Sequence, residues 1–444
     1  MIGAGACGLV AALAARDAGA EVLVLERDRT PTGSTSLSSG FIPAAGTRFQ
    51  RAIGVDDDTP DRLAADILAK SKLRADPHEA LRVARAAGAA LEWLADAHGI
   101  PFHVLQGFLY PGHSRLRMHA VPERTGAALL ARLLRAVEDA GVQIVTEARA
   151  SDLFADADGR IAGVRVVRPD GGAEDIGCNA LVLACNGYGG APDLVRRHIP
   201  DLADALYFGH AGNQGDALRW GAELGAVARD LGACQGHGSV AHPHGILITW
   251  ALMTEGGIQV NSDGRRFWNE HEGYSEASVA VLRQPGGIAW DVFDARLHAL
   301  GMEFEDFRSA VAAGAVKRAE DAESLAAACG LPADALAATL AEAQGLARRQ
   351  ATDGFGRRFA APPLAPPYHA IRVTGALFHT QGGLLVDDEA RVLRADGTAL
   401  PNLFAGGGAA RGVSGNAVWG YLSGNGLLTA VAYGLLAGRA AARP

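Results

Sequence analysis

The chain has 444 residues, 49% hydrophobic and 20% charged, with a formal net charge of −8, long enough for a large core and more than one domain. Its 38 arginines and three lysines are scattered among acids, which argues against a polyanion surface, so no nucleic-acid partner is expected. The five cysteines, Cys7, Cys178, Cys185, Cys234 and Cys329, show neither metal spacing nor an even disulfide set; no metal is expected, and a reduced, cytoplasmic setting fits.

The chain opens on Gly3-x-Gly5-x-x-Gly8, a helical stretch, and the apolar run Val22-Leu-Val-Leu25 closed by Glu26. Gly3 permits a tight turn, Gly5 lets backbone approach a pyrophosphate, and Gly8 lets the next helix pack closely with its N-terminus toward phosphate. Glu26 stands where an acid accepts hydrogen bonds from ribose hydroxyls. The ordered set is far more specific than its glycines alone and predicts a dinucleotide site. Only Met1-Ile2 precedes Gly3, where a strand of about five residues is usual, so the reading expects a longer natural first strand, with a natural short start as the alternative.

Thr32-Gly-Ser-Thr-Ser-Leu-Ser-Ser-Gly40 reads as a cofactor-contacting loop or a flexible linker, and its place directly after Glu26 favours contact. Helices are predicted over 60–71 and 77–98. Leu129, Leu130, Leu133, Leu134 and Val137 recur at helical spacing. Strands follow at 142–146 and 161–168, the second in an antiparallel meander turning at Pro169-Asp-Gly-Gly172. The apolar run Ala180–Cys185 enters Asn186-Gly-Tyr-Gly-Gly190 and returns the chain to the nucleotide sheet. An Ala-rich helical stretch spans 320–350, strand–turn texture resumes from Phe378, and 427–442 reads as a closing helix. The most apolar tract, Leu427 to Gly438, is too short and glycine-interrupted to cross a bilayer, and no secretory signal is read, so no membrane insertion is expected.

Several runs together resemble the flavoprotein subunits of the fumarate reductase and succinate dehydrogenase superfamily, which includes ketosteroid and tricarballylate dehydrogenases. They are Gly3–Gly8, Gly33–Gly40, Ala184-Cys-Asn-Gly-Tyr-Gly189, Gly215-Asp216, Asn261-Ser-Asp-Gly-Arg-Arg-Phe-Trp-Asn-Glu270, Phe378-His-Thr-Gln-Gly-Gly383 and Asn402-Leu-Phe-Ala-Gly-Gly407. The resemblance implies an α/β fold: a Rossmann-like FAD-binding domain in two segments, 1–236 and 379–444, with an inserted α+β capping domain, 237–378, that closes over the isoalloxazine. It implies FAD contacts at Gly3, Gly5, Ala6, Cys7, Gly8, Glu26, Arg27, Ser34, Thr35, Ser36, Ser39, Gly40, Asn186, Gly187, Asp216, Gly406, Gly407, Asn425, Leu427 and Leu428. The implied chemistry is hydride exchange with flavin while a protein group moves a proton on the neighbouring carbon. The substrate is a small molecule, and the electron acceptor is not specified.

The departures narrow this. Tyr274 stands where fumarate reductases carry a proton-donating arginine, as in ketosteroid dehydrogenases, and Trp250 and Met253 replace the Glu and Arg of their proton relay. The carboxylate-clamping arginine has no clear counterpart in Gly415–Tyr421. Tyr421–Leu428 resembles the flavin-contact segment of tricarballylate dehydrogenase. No histidine stands in Ser34–Gly40 for covalent attachment, so noncovalent FAD is implied. The expected function is an FAD-dependent dehydrogenase desaturating a C–C bond next to a keto or carboxylate group. The alternatives are an enoate or enone reductase and a flavin-binding remnant without turnover.

Four catalytic candidates follow: Tyr274, to move the proton; His379, to orient the substrate; Tyr421, lining the pocket; and His242, from a His-Pro pair resembling the family's at the cap entrance. Each has a plainer reading as a packing or satisfied polar residue. Cys7 reads as packing, Arg411 as a replacement clamp or a surface residue, and Asp56–Asp58 as a solvated loop.

Overall fold

The computed structural model describes residues 1–443. The chain divides into two compact units, one made of 1–199, 209–234 and the chain from His379 onward, the other of 200–208 and 235–378.

In the first unit the apolar runs become a parallel sheet. Leu23–Leu25 pairs with Gln143–Val145, Ile2 bridges to both Leu25 and Leu183, and Leu181–Leu183 pairs with Leu403–Ala405. Arg391–Leu393 adds an antiparallel edge. Leu181, Val182 and Leu183 are all buried, the unbroken apolar pattern of a strand covered on both faces. The first helix, Ala6–Asp17, packs against the last, Asn425–Ala441. Helices Pro60–Lys70 and Pro77–His98 begin where Thr59 and Asp76 cap the first turn and proline occupies its first position, a start that leaves few orphan N–H groups. The predicted meander is Arg149–Ala155, Ile161–Val167 and Ala173–Gly177.

Two expectations are corrected here. The Gly/Ser loop contains a helical turn, Gly33–Ser36, which turns its side chains back on the backbone. Asp58 is not a solvated residue: it is fully buried, paired to Arg117 at 2.7 Å and hydrogen-bonded by Gln50 at 2.6 Å, leaving only Asp56 and Asp57 exposed.

The second unit is built on a seven-stranded sheet around the 13-residue strand Tyr368–Thr380. Ile288–Asp294 runs antiparallel to it, from Ile288 opposite Thr374 to Asp294 opposite Tyr368. Strand texture thus resumes at Tyr368, ten residues before the expected Phe378, because Tyr368, Ala370, Ile371 and Val373 join a core with Val292, Phe293, Leu325 and Leu340. The helix expected over 320–350 is two, Ala322–Cys329 and Ala333–Arg349. Gly330 takes φ +69° at the first helix's end, and Pro332 cannot continue it. Among the described residues no helix is long and apolar enough to cross a membrane.

Candidate active site and cofactor cradle

The Gly-rich turn of the first unit is held open by contacts no larger residue tolerates. A Cβ on Gly8 would land 1.9 Å from the Gly3 carbonyl oxygen. The helix that follows starts at Ala6 with no side-chain cap from Gly5, so its N-terminal N–H groups and partial positive charge are available to an anion. The Ala6 N–H donates to Thr35 Oγ1 at 3.0 Å, tying the Gly/Ser loop to this turn. Ser34 Oγ accepts from Asn186 Nδ2 at 2.9 Å and Asn213 Nδ2 at 3.0 Å. Ser36 bonds within the turn, whereas Ser39 is exposed, and Ser38 takes the inward role by donating to the Thr35 carbonyl and accepting from Gly40 N–H.

Glu26 is buried, and its two oxygens accept from the Ala4 and Asp28 N–H groups at 3.0 Å each. A carboxylate has further lone pairs, so ribose hydroxyls can be accepted beside these bonds. Arg27 donates to the Gly212 carbonyl at 2.7 Å. The Gly187 N–H donates to Asn186 Oδ1 and the Gly187 carbonyl accepts from the Gly215 N–H, which brings the helix beginning at Asp216 to the same turn. Gly406 and Gly407 lie against Cys7. Burial and the nearby Cys185 push the Cys7 thiol up to about 12, so it packs and does not attack.

The last helix also begins without a side-chain cap. Its first residue, Asn425, is fully buried with Oδ1 lacking any partner, while Leu428 is buried behind it and Leu427 half-buried. A buried unpaired amide oxygen is costly unless a donor reaches it. Two uncapped helix starts, a ribose-ready acid and this orphan acceptor fit FAD, whose phosphates, sugar hydroxyls and ring N–H complement them.

His379 stands edge-on to Tyr421, ring centroids 5.5 Å apart, and against Gly426, where a Cβ would meet its Cε1 and Nε2 at 2.8 Å. Burial lowers His379 to about 4, opposed by the Thr380 carbonyl, so the imidazole is neutral at pH 7. Burial raises Tyr421, whose hydroxyl oxygen accepts from the Gly426 N–H at 3.4 Å. Arg411 is neither a clamp nor a surface residue: it is largely buried and pairs with Asp230 at 2.6 Å and Asp76 at 3.4 Å.

In the second unit Tyr274 opens the helix Tyr274–Leu282. His237 stacks on it at 4.9 Å, Phe378 stacks on His237 at 5.4 Å, and Phe208 stacks on Phe378 at 4.7 Å, a continuous aromatic column. Trp250 meets His237 edge-on at 5.8 Å with its buried indole N–H unpartnered, and Met253 is buried. Burial lowers His237 to about 3. His242 follows the strand Cys234–Ala241 in its turn to Ile246–Leu247, five residues past His237 and thus about 16 Å further along extended chain. The structure therefore brings His237, not His242, to Tyr274.

His237 was open to detection in Gly236-His-Gly238. Glycines flanking a strand residue mark close approach of another element, here the helix after Tyr274: Gly236 N–H donates to Ser275 Oγ at 2.9 Å, and a Cβ on Gly238 would strike the Ala277 backbone at 2.5 Å. The Asn269-Glu270 run acquires a structural role. Buried Glu270 receives Arg266 Nε and Arg357 Nη1, each at 2.8 Å, and the Gln259 N–H at 3.0 Å. Burial opposes its charge, but Arg357 and then Arg266 outweigh that and hold its carboxyl at about 2. This anchor sits four residues before Tyr274.

The chain matches the family described as FAD binding domain over residues 1–427. It is 30% identical to the NADH:fumarate oxidoreductase of Klebsiella pneumoniae (strain 342) across all of this chain, which spans 47% of that relative's length. It is 28% identical to a probable fumarate reductase, Ifc3, of Shewanella frigidimarina (strain NCIMB 400), covering 100% of this chain and 74% of that one. Among solved structures it is similar to the open conformation of a flavocytochrome c3 fumarate reductase, TM-score 0.83 at 28% identity, covering 99% of this chain and 77% of that one. It is also similar to the 3-ketosteroid-delta4-(5alpha)-dehydrogenase of Rhodococcus jostii RHA1, TM-score 0.78 at 25% identity, covering 100% and 96%. The chain belongs to this FAD-binding family, as an FAD-dependent oxidoreductase with fumarate reductase and ketosteroid dehydrogenase relatives.

Proposed function

We propose that this oxidoreductase works as a dehydrogenase, inserting a C–C double bond beside a keto or carboxylate group, with a neutral keto-activated substrate favoured. The observation that carries this is the neutrality of the candidate groups. Burial alone depresses His237, and only burial and a carbonyl act on His379. Trp250 and Met253, which the family resemblance sets at the relay positions, are buried and hold no titratable group. Recognising a dicarboxylate in such surroundings would leave buried negative charge without compensation, whereas a ketone oxygen asks only for hydrogen-bond donors.

Bound noncovalently, FAD supplies a two-electron acceptor for hydride. In this reading His379 and Tyr421 orient the activating carbonyl, and the Tyr274 side chain, as its phenolate, accepts the proton from the carbon beside the one losing hydride. An unperturbed phenol titrates near about 10, and polarisation of the carbonyl, which acidifies the adjacent C–H, lowers the demand on Tyr274 as a base.

The reductase direction is the second reading, and the names of the fumarate reductase relatives favour it. Anaerobic mixing with a panel of saturated ketones, carboxylates and their unsaturated counterparts tests both. Bleaching of oxidised flavin by a saturated ketone supports the dehydrogenase. Failure of every saturated compound, with fast reoxidation of reduced flavin by fumarate, overturns it.

A further inference from the structure

The hydrogen bonds beside His379 run in one direction. Asn425 Nδ2 donates to Ser414 Oγ at 3.2 Å, Ser414 Oγ donates to Gln381 Oε1 at 3.3 Å, and Gln381 Nε2 donates to His379 Nδ1 at 3.2 Å. Asn425, Ser414 and Gln381 are all buried, so water does not interrupt the sequence. A neutral imidazole whose Nδ1 accepts must carry its proton on Nε2. One contact opposes this. The Thr380 carbonyl lies 3.4 Å from Nδ1, and as a pure acceptor it favours the proton on Nδ1. The amide of Gln381 is nearer, and its oxygen is already engaged by the Ser414 hydroxyl.

We propose that Gln381 is a positioning residue that holds His379 as the Nε2–H tautomer, a hydrogen-bond donor and not a base. Ser414 and Asn425 set the direction of the relay. Its far end is Asn425 Oδ1, the buried acceptor with no partner in the protein, and a ring N–H of the flavin is the kind of donor that satisfies it. Reversal would flip both amides and leave an amino group facing that end, so cofactor binding and the His379 tautomer are coupled. The Nε2–H beside Gly426 and Tyr421 is then the group that polarises a substrate carbonyl, an assignment that rests on the reading of His379 given above.

The test uses FAD-loaded protein with 15N-labelled histidine. Long-range proton–nitrogen correlation identifies the tautomer, and His379→Gln assigns the signal among the 14 histidines. Wild type should show Nε2 protonated and Nδ1 bare from pH 6 to 8. Gln381→Met removes the donor and leaves the Thr380 carbonyl, so the proton should move to Nδ1. Gln381→Glu places an acceptor there, so the proton should move likewise and the imidazole titrate at higher pH. Ser414→Ala should give a mixture of tautomers without touching His379, and it serves if either Gln381 variant fails to fold. Protonated Nδ1 in wild type, or an unchanged pattern in a folded Gln381→Met or Ser414→Ala variant, overturns the proposal. With a substrate in hand, Gln381→Met should raise KM about tenfold, the scale of one hydrogen bond. A tautomer switch with unchanged KM supports the relay while overturning the substrate role of His379.

Discussion

Glu270→Gln keeps the shape of the side chain and removes its charge, so it isolates what the anchor before Tyr274 contributes. Glu270 and Arg357 are almost fully buried, and Arg266 is nearly so, its other end paired to Asp353 at 2.5 Å. Two carboxylates thus balance two guanidiniums away from water. After the change Arg357 keeps only carbonyl acceptors, Gly257 at 2.9 Å and Met253 at 3.4 Å. Breaking a buried pair by removing one partner costs about 3–5 kcal/mol. An independent route agrees: lowering a carboxyl from 4.5 to about 2 on folding corresponds to about 3 kcal/mol favouring the ionised folded form. Because the folded value is depressed, that stability is complete above pH 4.5 and is lost as pH falls toward 2. Urea unfolding at pH 7 and at pH 3, followed by tryptophan fluorescence, should show a large deficit in the variant at pH 7 and a smaller one at pH 3. A midpoint at pH 7 equivalent to less than about 1 kcal/mol below wild type, the range of an exposed ion pair, would refute the anchoring argument.

Other outcomes follow from the same geometry. Acid precipitation should release FAD into the supernatant, since Ser34–Gly40 offers no attachment histidine; flavin persisting in the washed pellet counts against noncovalent binding. Tyr274→Phe should slow flavin reduction by about a hundredfold, the scale of one acid–base group, with flavin content unchanged; near-normal reduction by stopped flow would make Tyr274 a packing residue. Burial pushes Asp291 up to about 7 despite hydrogen bonds from Ser239 and Gln259. Its folded value lies above the unfolded 3.8, so stability falls as pH rises from 3.8 through 7. Asp291→Asn should flatten that slope in urea midpoints taken across the interval, and an unaltered slope would show that another group titrates there.

What the sequence made legible is what backbone geometry dictates locally. The glycine-rich turn, the strand that leads to Glu26, the helices at Pro60 and Pro77 and the meander are each specified by a few neighbouring residues, and as backbone elements they form where the sequence sets them. Residues whose roles depend on distant partners were not legible. Asp58 sits in an acidic run and looks solvated until Arg117, 59 positions on, reaches it. Gln381 was only the variable place within His-Thr-x-Gly-Gly, and its relay needs Ser414 and Asn425 from later loops. His242 stands out in the sequence through its His-Pro pair, whereas the approach of His237 to Tyr274 needs a helix 37 residues on. The long helix over 320–350 ignored the Gly330-Leu-Pro332 break because alanine carries helix propensity across it.

Fold does not decide direction, since a fumarate reductase and a ketosteroid dehydrogenase share this architecture. Arginine serves carboxylate substrates through two parallel hydrogen bonds and a fixed positive charge. Three arginines of the buried network are committed elsewhere: Arg411 to Asp230, Arg266 to Glu270 and Asp353, and Arg357 to Glu270. Releasing Arg266 or Arg357 for substrate would strand buried Glu270, at a cost exceeding what an extra ion pair returns. In the second unit the buried imidazole of His237, the Tyr274 phenol and the unpartnered Trp250 indole N–H stand together at one end of the aromatic column that runs to Phe208. In the first unit the imidazole of His379 stands with the Tyr421 phenol, and each set offers uncharged donors of the kind a carbonyl oxygen accepts. On the proposed reading, oxidation beside a ketone draws on these uncharged donors, whereas a dicarboxylate would call for a cation that Arg411, Arg266 and Arg357 supply only by giving up their present partners.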